Sequence, residues 1–360
     1  VRPPRRIAVL GGDSPFRHVG DDAIVRAHLQ HLALFTPAAE AVLLARDPEA
    51  AAARFGVTAA ADLHDLLYAG LDEHRDPDEL VTAVSARIDD LVAAARHRRS
   101  RDGTPCADPA VERALGLLAS CEALLLASGG ALTSAYAVPA LWPHLATALV
   151  AHALGVPVFF SGVTAGPFAP RDRALAAAAF AAADVVVTRD TGESAAELAE
   201  LGLDSARVIE APDPAVALVP APAPVVDAAL AATGIGPQPF AVVSLRERAE
   251  VTELAAMADL VTHLDHLGIT CLAVPHCTDA SGDDRRAHAS LAELAPTLRL
   301  LEPLPADDVI AGIVARAVLA VGSRYHLAVF AAAAGITEPA LPAVARLASG
   351  PPEIRPSGSE

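Results

Sequence analysis

The chain has 360 residues, more than one ordinary domain, and this length predicts roughly two domains. Its formal net charge of −17 would repel a polyanion, which argues against general nucleic-acid binding. It contains no lysine, so Schiff-base chemistry is excluded and anions must be bound by arginine, histidine or backbone amides.

Hydrophobic residues make up 53% of the chain, but much of this is alanine in helical runs, and no charge-free stretch reaches the roughly 18 apolar residues of a membrane span. The apolar run after the N-terminal arginines ends early, at Gly11-Gly12, so we expect no secretory signal. The cysteines show neither a C-x-x-C pair nor a zinc spacing, which predicts reduced thiols and no metal: Cys106, Cys121, Cys271 and Cys277. We also expect no cofactor. Together these features predict a cytoplasmic protein without a transmembrane segment.

Short apolar strands alternate with amphipathic helices through the first 210 residues, a pattern typical of α/β units around a parallel sheet. The predicted strands are 6–10, 41–45, 123–127, 156–160 and 185–188. The predicted helices are 21–34, 79–97, 109–119, 139–154, 171–182 and 191–201.

Residues 211–239 contain seven prolines, which disfavours a long helix and predicts an interdomain connection with at most a short helix at 225–233. A second α/β series follows over 240–349. Its predicted strands are 240–245, 269–274, 298–301 and 317–321, and its predicted helices are 251–267, 283–294, 306–315 and 325–335. The composition of 350–360 predicts a disordered tail.

The predicted fold class is therefore α/β, with two Rossmann-like doubly wound domains facing a cleft. In open α/β sheets, ligands bind outside the carboxyl ends of the strands. Three loops of small residues follow predicted strands and would line such a rim. Their candidate residues are Gly20, Asp21 and Asp22 in the first, Gly129 and Gly130 in the second, and Gly166 in the third. Taken alone, the first loop is better explained as a glycine turn with an N-capping Asp, and the second is a weak signal.

Charged residues also follow predicted strands. Arg189 comes at the end of the 185–188 strand, Asp213 stands between two prolines, and Arg246 ends the first strand of the second domain. His276 follows the 269–274 strand. For Arg189, the alternative is a surface arginine beside the helix-capping Asp190.

The last predicted strand breaks at Gly322 into Ser323-Arg324-Tyr325-His326, which open the next helix. An arginine at a helix N-terminus can bind an anion, and a histidine beside it can move a proton. The alternative for His326 is a core histidine, because apolar residues such as Phe330 surround it in the sequence.

Taken in chain order, these segments resemble the polysaccharide pyruvyl transferase family over about residues 6–335. The segments are His18 to Ile24, Ser128 to Leu132, Gly166-Pro167, Thr188-Arg189-Asp190 with Ser194, Asp213-Pro214, Ser244-Leu245-Arg246, Pro275-His276 with Asp279, and Gly322 to His326. No Tyr-x-x-Lys segment, which the family carries after its last helix, occurs in 336–348.

The resemblance implies a fold like that of the GT-B glycosyltransferases, with the acceptor on the first domain and the donor on the second. It implies transfer of a pyruvyl group from phosphoenolpyruvate to saccharide hydroxyls as a ketal, with release of phosphate. The family's general acid or base would be His326, with Arg324 and Tyr325 at the donor and a second donor arginine at Arg189 or Arg246. The base that accepts the acceptor's proton could be Asp21, Asp22 or Asp213.

The acceptor could be a free, nucleotide-linked or lipid-linked saccharide. Two other functions fit the same sequence features. One is a glycosyltransferase of the same shape that uses a nucleotide sugar, for which the glycine loops would serve equally well. The other is a non-catalytic saccharide-binding or scaffold protein that kept the fold and lost the chemistry.

Overall fold

The computed structural model describes residues 5–11, 18–72, 74–100, 107–247, 249–279 and 282–336. By its internal contacts the chain divides into unit 1, Val1–Val219, and unit 2, Pro220–Glu360. Several sequence features lie outside the described residues: Gly12, Cys106, the segment without Tyr-x-x-Lys beyond Ile336, and the 350–360 tail.

Within the described part of unit 1, the strands form one parallel sheet in the order β3-β2-β1-β4-β5-β6-β7. The order reverses between β1 and β4, which is the topological switch point of a doubly wound sheet. The strands are β1 (Arg5–Gly11), β2 (Ala39–Ala45), β3 (Thr58–Ala61), β4 (Ala123–Ala127), β5 (Val158–Val163), β6 (Val185–Thr188) and β7 (Val208–Glu210).

Helices connect these strands and bury the two faces of the sheet. They are α1 (Val19–Phe35), α2 (Pro48–Phe55), α3 (His64–Tyr68), α4 (Pro77–Ser100), α5 (Pro109–Ala119), α6 (Trp142–Leu154), α7 (Pro170–Ala181) and α8 (Glu193–Glu200). Asp47 and Asp108 cap α2 and α5 by accepting hydrogen bonds from amides of the first turn, each with a proline at the first helical position. Gly155 ends α6 in the left-handed conformation that favours glycine.

The stretch Ser134–Leu154 is the one helical segment of the described residues that is long and apolar enough to cross a membrane, and 72% of its most apolar window is buried inside the fold. It contains α6, which packs against α4, α5 and α7. Trp142, at its start, donates a 2.8 Å hydrogen bond to the buried carboxylate of Asp172. Its apolar composition is therefore that of a core helix.

Unit 2 contains a smaller parallel sheet, whose described strands lie in the order β10-β9-β8-β11. The strands are β8 (Phe240–Ser244), β9 (Thr270–Ala273), β10 (Arg299–Leu300) and β11 (Leu319–Gly322). The helices are α9 (Ala223–Ala232), α10 (Val251–His266), α11 (Asp284–Leu294), α12 (Asp307–Val314) and α13 (Tyr325–Ala333). Here the order reverses between β8 and β11.

The predicted α/β class and all the predicted strands and helices are confirmed, with end points that shift by no more than three residues. Four short elements were not predicted: β3, β7, α2 and α3. They are three to eight residues long and carry little periodicity, so the pattern alone does not reveal them. The strand predicted at 156–160 is Val158–Val163, because it continues through a bulge at Gly162, where φ is +67°.

Candidate active site

The switch point of unit 2 brings together the carboxyl ends of β8 and β11. Gly322 ends β11 directly opposite Ser244, and a Cβ atom on Gly322 would lie 2.2 Å from the Ser244 carbonyl oxygen. Only glycine allows this approach. The next amide, that of Ser323, donates a 2.8 Å hydrogen bond to the same carbonyl, so the two loops are joined where the strands end.

Three of the site residues predicted from the sequence lie next to this junction: Arg246, Arg324 and His326. Arg246 lies two residues beyond β8, and its amide donates a 3.0 Å hydrogen bond to the hydroxyl of Ser323. Arg324 precedes α13, and His326 lies in its first turn. The structure therefore brings Arg246 and the Arg324–His326 segment to adjacent strand ends of one sheet.

His276 lies at the end of the next strand along the sheet, β9, and is buried. Its Nδ1 is 3.2 Å from the Val274 carbonyl oxygen, which can only accept, so Nδ1 carries the proton. The hydroxyl of Ser244 lies 3.0 Å from the same nitrogen. Burial is the main cause that lowers the pKa of His276 to about 3, so the ring is neutral at pH 7 and its buried Nε2 is unprotonated. Nε2 accepts no hydrogen bond from any described residue.

His326 and the buried His276 both lie beside the aromatic ring of Phe330. The ring centroid of His326 is 6.4 Å from that of Phe330, and the His276 ring stacks on the same phenylalanine at 6.1 Å. Tyr325 contacts His326 edge-on at 5.1 Å. His326 and Tyr325 are both half-buried, and the Nε2 atom of His326 is itself buried.

Arg324 forms a side-on ion pair with the fully buried carboxylate of Asp284. Its Nε lies 2.9 and 3.1 Å from the two carboxylate oxygens, and its Nη2 also donates to Asp284. Sequence analysis did not identify Asp284, because the pair spans 40 residues and no local pattern marks it. The only local signal is the acidic residue at the first position of α11.

A second buried histidine, His288 on α11, supports the loop after β8. Its Nε2 accepts a 3.1 Å hydrogen bond from the Leu245 amide, so that nitrogen is unprotonated. Burial is the main cause that lowers the pKa of His288 to about 4. The neutral ring is thus a hydrogen-bond acceptor that holds the backbone between Ser244 and Arg246.

The switch point of unit 1 is built in the same way. Gly11 ends β1, and a Cβ atom there would lie 2.2 Å from the Ala127 carbonyl oxygen at the end of β4. Gly129 follows with φ at +55°, and its ideal Cβ position is 2.5 Å from Oδ1 of Asp21. Asp21 is half-buried at the start of α1, so the first two predicted loops do meet here.

Asp22 is not at the rim. It is fully buried in the first turn of α1, and its Oδ2 lies 2.6 Å from Nη2 of Arg54, the last-turn arginine of α2. Gly20 is likewise buried in α1. A carboxylate that is buried and paired in this way is poorly placed to receive a proton from a substrate.

Half-buried Arg189 forms an ion pair with the buried carboxylate of Asp213 at the ends of β6 and β7. Nη1 of Arg189 lies 2.8 Å from Asp213 Oδ2, and Nε donates a 2.9 Å hydrogen bond to the Thr164 hydroxyl. Gly130 allows the same guanidinium to approach, since its ideal Cβ position would be 3.0 Å from Nη2. The arginine thus joins the ends of three strands through partners in unit 1.

The third predicted loop, which contains Gly166, is held by contacts with α8. The Ser194 hydroxyl accepts a 2.8 Å hydrogen bond from the Ala165 amide and contacts the carboxylate of Asp190. Gly166 has φ at +86°, and its ideal Cβ position is 2.6 Å from the Glu197 side chain on α8. Gly166 is therefore required by the local backbone, whether or not a ligand binds nearby.

No group of three or more His, Cys, Asp or Glu residues with the geometry of a metal site occurs among the residues that the structure describes. Cys121, Cys271 and Cys277 are buried, and none of them forms a disulfide within the part of the chain that the structure describes. Burial raises the pKa of Cys271 to about 11, which keeps that thiol protonated and unreactive at neutral pH.

The chain was compared with known families and structures. The sequence model of the family described as polysaccharide pyruvyl transferase matches residues 18–337. No curated protein matches the chain. Among solved structures, the UDP-GlcNAc 2-epimerase from Methanocaldococcus jannaschii has a TM-score of 0.53 at 9% identity, over 93% of this chain and 83% of that one. The UDP-GlcNAc 2-epimerase from Neisseria meningitidis, bound to UDP-GlcNAc, has a TM-score of 0.51 at 11% identity, over 90% and 78%. At such identities the likeness shows the fold, which is GT-B-like.

Proposed function

Because the chain belongs to the polysaccharide pyruvyl transferase family, we propose that it transfers the pyruvyl group of phosphoenolpyruvate to two hydroxyls of a saccharide as a ketal. The family assignment supports a polysaccharide-modifying transferase. The observation that carries the finer proposal is the cluster at the switch point of unit 2, where Arg246, Arg324 and His326 follow adjacent strands.

Unit 2 is proposed to bind the donor. Phosphoenolpyruvate carries a carboxylate and a phosphate, and guanidinium groups bind such anions through charge-assisted hydrogen bonds. Arg246 is the better candidate for the second donor arginine, because it shares the switch point with Arg324. Arg189 lies in unit 1, where it donates to Asp213 and Thr164, so it is the weaker candidate for a donor site in unit 2.

His326 is proposed as the general acid. It gives a proton to the methylene carbon of phosphoenolpyruvate, and the first saccharide hydroxyl then adds to the adjacent carbon and returns a proton to the imidazole. The second hydroxyl attacks the same carbon as the bond to phosphate breaks, and a carboxylate base takes its proton and passes it to the departing phosphate. Atoms and charge therefore balance as ketal plus hydrogen phosphate, with no redox step and no cofactor.

Unit 1 is proposed to bind the acceptor, which could be free, nucleotide-linked or lipid-linked. Its rim at the switch point is formed by Asp21 and Gly129. Of the three carboxylates that the sequence left open as a base, Asp22 and Asp213 are buried and paired with arginines. Asp21 is half-buried and is therefore the candidate. We place the reaction in the cytoplasm, where phosphoenolpyruvate is available.

The test is phosphate release from phosphoenolpyruvate across a panel of saccharide acceptors. Replacing His326→Ala should lower turnover by about a hundredfold or more, the usual share of general acid catalysis. His266→Ala, which removes an exposed histidine from α10, is the matched control and should keep wild-type turnover. Unchanged turnover in His326→Ala would remove the mechanism.

Thermal shift separates the donor classes. A ligand at a hundred times its Kd stabilises the folded state by about 2.7 kcal/mol, which is readily measured as a rise in Tm. Phosphoenolpyruvate should raise the Tm, and Arg246→Met should reduce that rise. A shift with UDP-GlcNAc alone would instead favour a nucleotide-sugar enzyme, and a shift with saccharides but no phosphate release would favour a non-catalytic binding protein.

A further inference from the structure

Asp284 is a buried junction at the switch point of unit 2. The same carboxylate oxygen accepts hydrogen bonds from the amides of His276 and Cys277, both at 2.9 Å, and both carboxylate oxygens contact Arg324. The amide of Asp284 itself donates a 3.0 Å hydrogen bond to the Cys277 carbonyl. Asp284, at the start of α11, is thus bonded to the loop that follows β9. Its side chain in turn holds the guanidinium of Arg324.

The pairing changes what Arg324 can do with an anion. Asp284 occupies the edge of the guanidinium formed by Nε and Nη2, and Nη2 makes one further, long contact of 3.4 Å with the Gly282 carbonyl. Among the described residues, none accepts a hydrogen bond from Nη1. The Arg324 side chain is 16% exposed, so it is not sealed in the core. With its Nε and Nη2 edge occupied, the Arg324 guanidinium can donate a hydrogen bond to a ligand only through Nη1.

The pairing also cancels charge. A fully buried carboxylate beside the guanidinium leaves the pair neutral overall, so Arg324 attracts an anion far less than an unpaired arginine would. Arg324 therefore contributes to anion binding mainly by directing a hydrogen bond, and less by electrostatic attraction.

We propose that Asp284 is a positioning residue for the donor: it neutralises and orients Arg324 so that Nη1 meets a single oxygen of the donor's anionic group. This inference rests on the proposed function, in which unit 2 binds phosphoenolpyruvate. Without Asp284, Arg324 becomes an uncompensated cation with a complete fork. The donor then binds more tightly but in a bidentate pose, away from the position in which its methylene carbon is protonated.

Asp284→Asn should therefore separate affinity from turnover. We expect the Kd for phosphoenolpyruvate, measured by calorimetry, to fall by about threefold or more, while kcat for phosphate release falls by about tenfold or more. The control is Asp283→Asn, which removes a carboxylate from the adjacent residue, the N-cap of α11, where it pairs with Arg285 and not with Arg324. That variant should keep the wild-type Kd and kcat.

A purely structural role for Asp284 would lower the fraction of folded protein and leave the Kd of the folded fraction unchanged, which would overturn the inference. If Asp284→Asn does not fold, the comparison of Arg324→Met with Arg324→Met/Asp284→Asn replaces it. The single variant leaves a buried negative charge without its arginine, so phosphoenolpyruvate should bind to it more weakly than to the double variant. Equal affinities of those two variants would overturn the inference.

The two proposals fail in different ways. A wild-type protein that binds no phosphoenolpyruvate refutes the proposed function, and this inference with it. A wild-type protein that binds the donor, with an Asp284→Asn variant of the same Kd and kcat, refutes the positioning role alone.

Discussion

The buried histidine His288 provides a test of the structure that does not depend on function. Its Nε2 accepts a hydrogen bond from the Leu245 amide, and burial lowers its pKa from 6.5 to about 4. The unfolded chain therefore binds more protons than the folded protein between about pH 4 and pH 6.5. Stability due to this group is present above pH 6.5 and is lost as the pH falls through that window.

The magnitude follows from the two pKa values. At pH 5 the imidazole is protonated in the unfolded chain and neutral in the folded protein. This difference lowers the free energy of unfolding by about 2 kcal/mol relative to pH 7. His288→Gln removes the titration but keeps a side-chain oxygen that can accept the hydrogen bond from Leu245. At pH 7 we expect the free energy of unfolding of the variant to lie within about 1 kcal/mol of the wild-type value. Between pH 7 and pH 5 the variant should lose about 2 kcal/mol less of this free energy than wild type loses.

The assay is urea unfolding followed by circular dichroism at the two pH values. His266→Gln, which removes an exposed histidine from α10, should keep the wild-type difference between pH 7 and pH 5. If His288→Gln loses as much stability as wild type between pH 7 and pH 5, the buried neutral ring is not the source of the dependence and the reasoning fails.

Two further predictions concern the strand ends. Gly322→Ala places a Cβ atom 2.2 Å from the Ser244 carbonyl oxygen and should lower the unfolding free energy by about 3 kcal/mol or more, whereas Gly236→Ala, with no atom near its ideal Cβ position, should stay within about 0.5 kcal/mol of wild type in urea unfolding. Arg189→Met leaves Asp213 buried without this partner and should cost about 3–5 kcal/mol, most of which Arg189→Met/Asp213→Asn should restore; a fully stable single variant would show that the ion pair does not hold the strand ends together.

The fold class could be predicted from the sequence because its signals are local. Alternation of apolar strands and amphipathic helices is set within some ten residues, and glycine and proline mark the ends of elements. The placement of Arg246 and of Arg324 to His326 after strands was predictable for the same reason, and the sheet order then brings β8 beside β11. The short elements β3 and α3 were missed because four or five residues carry too little pattern.

The sequence by itself determined which residues end each strand, and so which side chains are candidates. The tertiary structure decided what those side chains contact. Arg189 meets Asp213 and Arg324 meets Asp284 across 24 and 40 residues, and Asp22 is buried against Arg54. Such partners are set by strand order and helix packing, which bring half-buried arginines to buried carboxylates from distant parts of the chain, and no local spacing encodes them. Whether a charged residue can face a ligand is therefore a property of the folded chain.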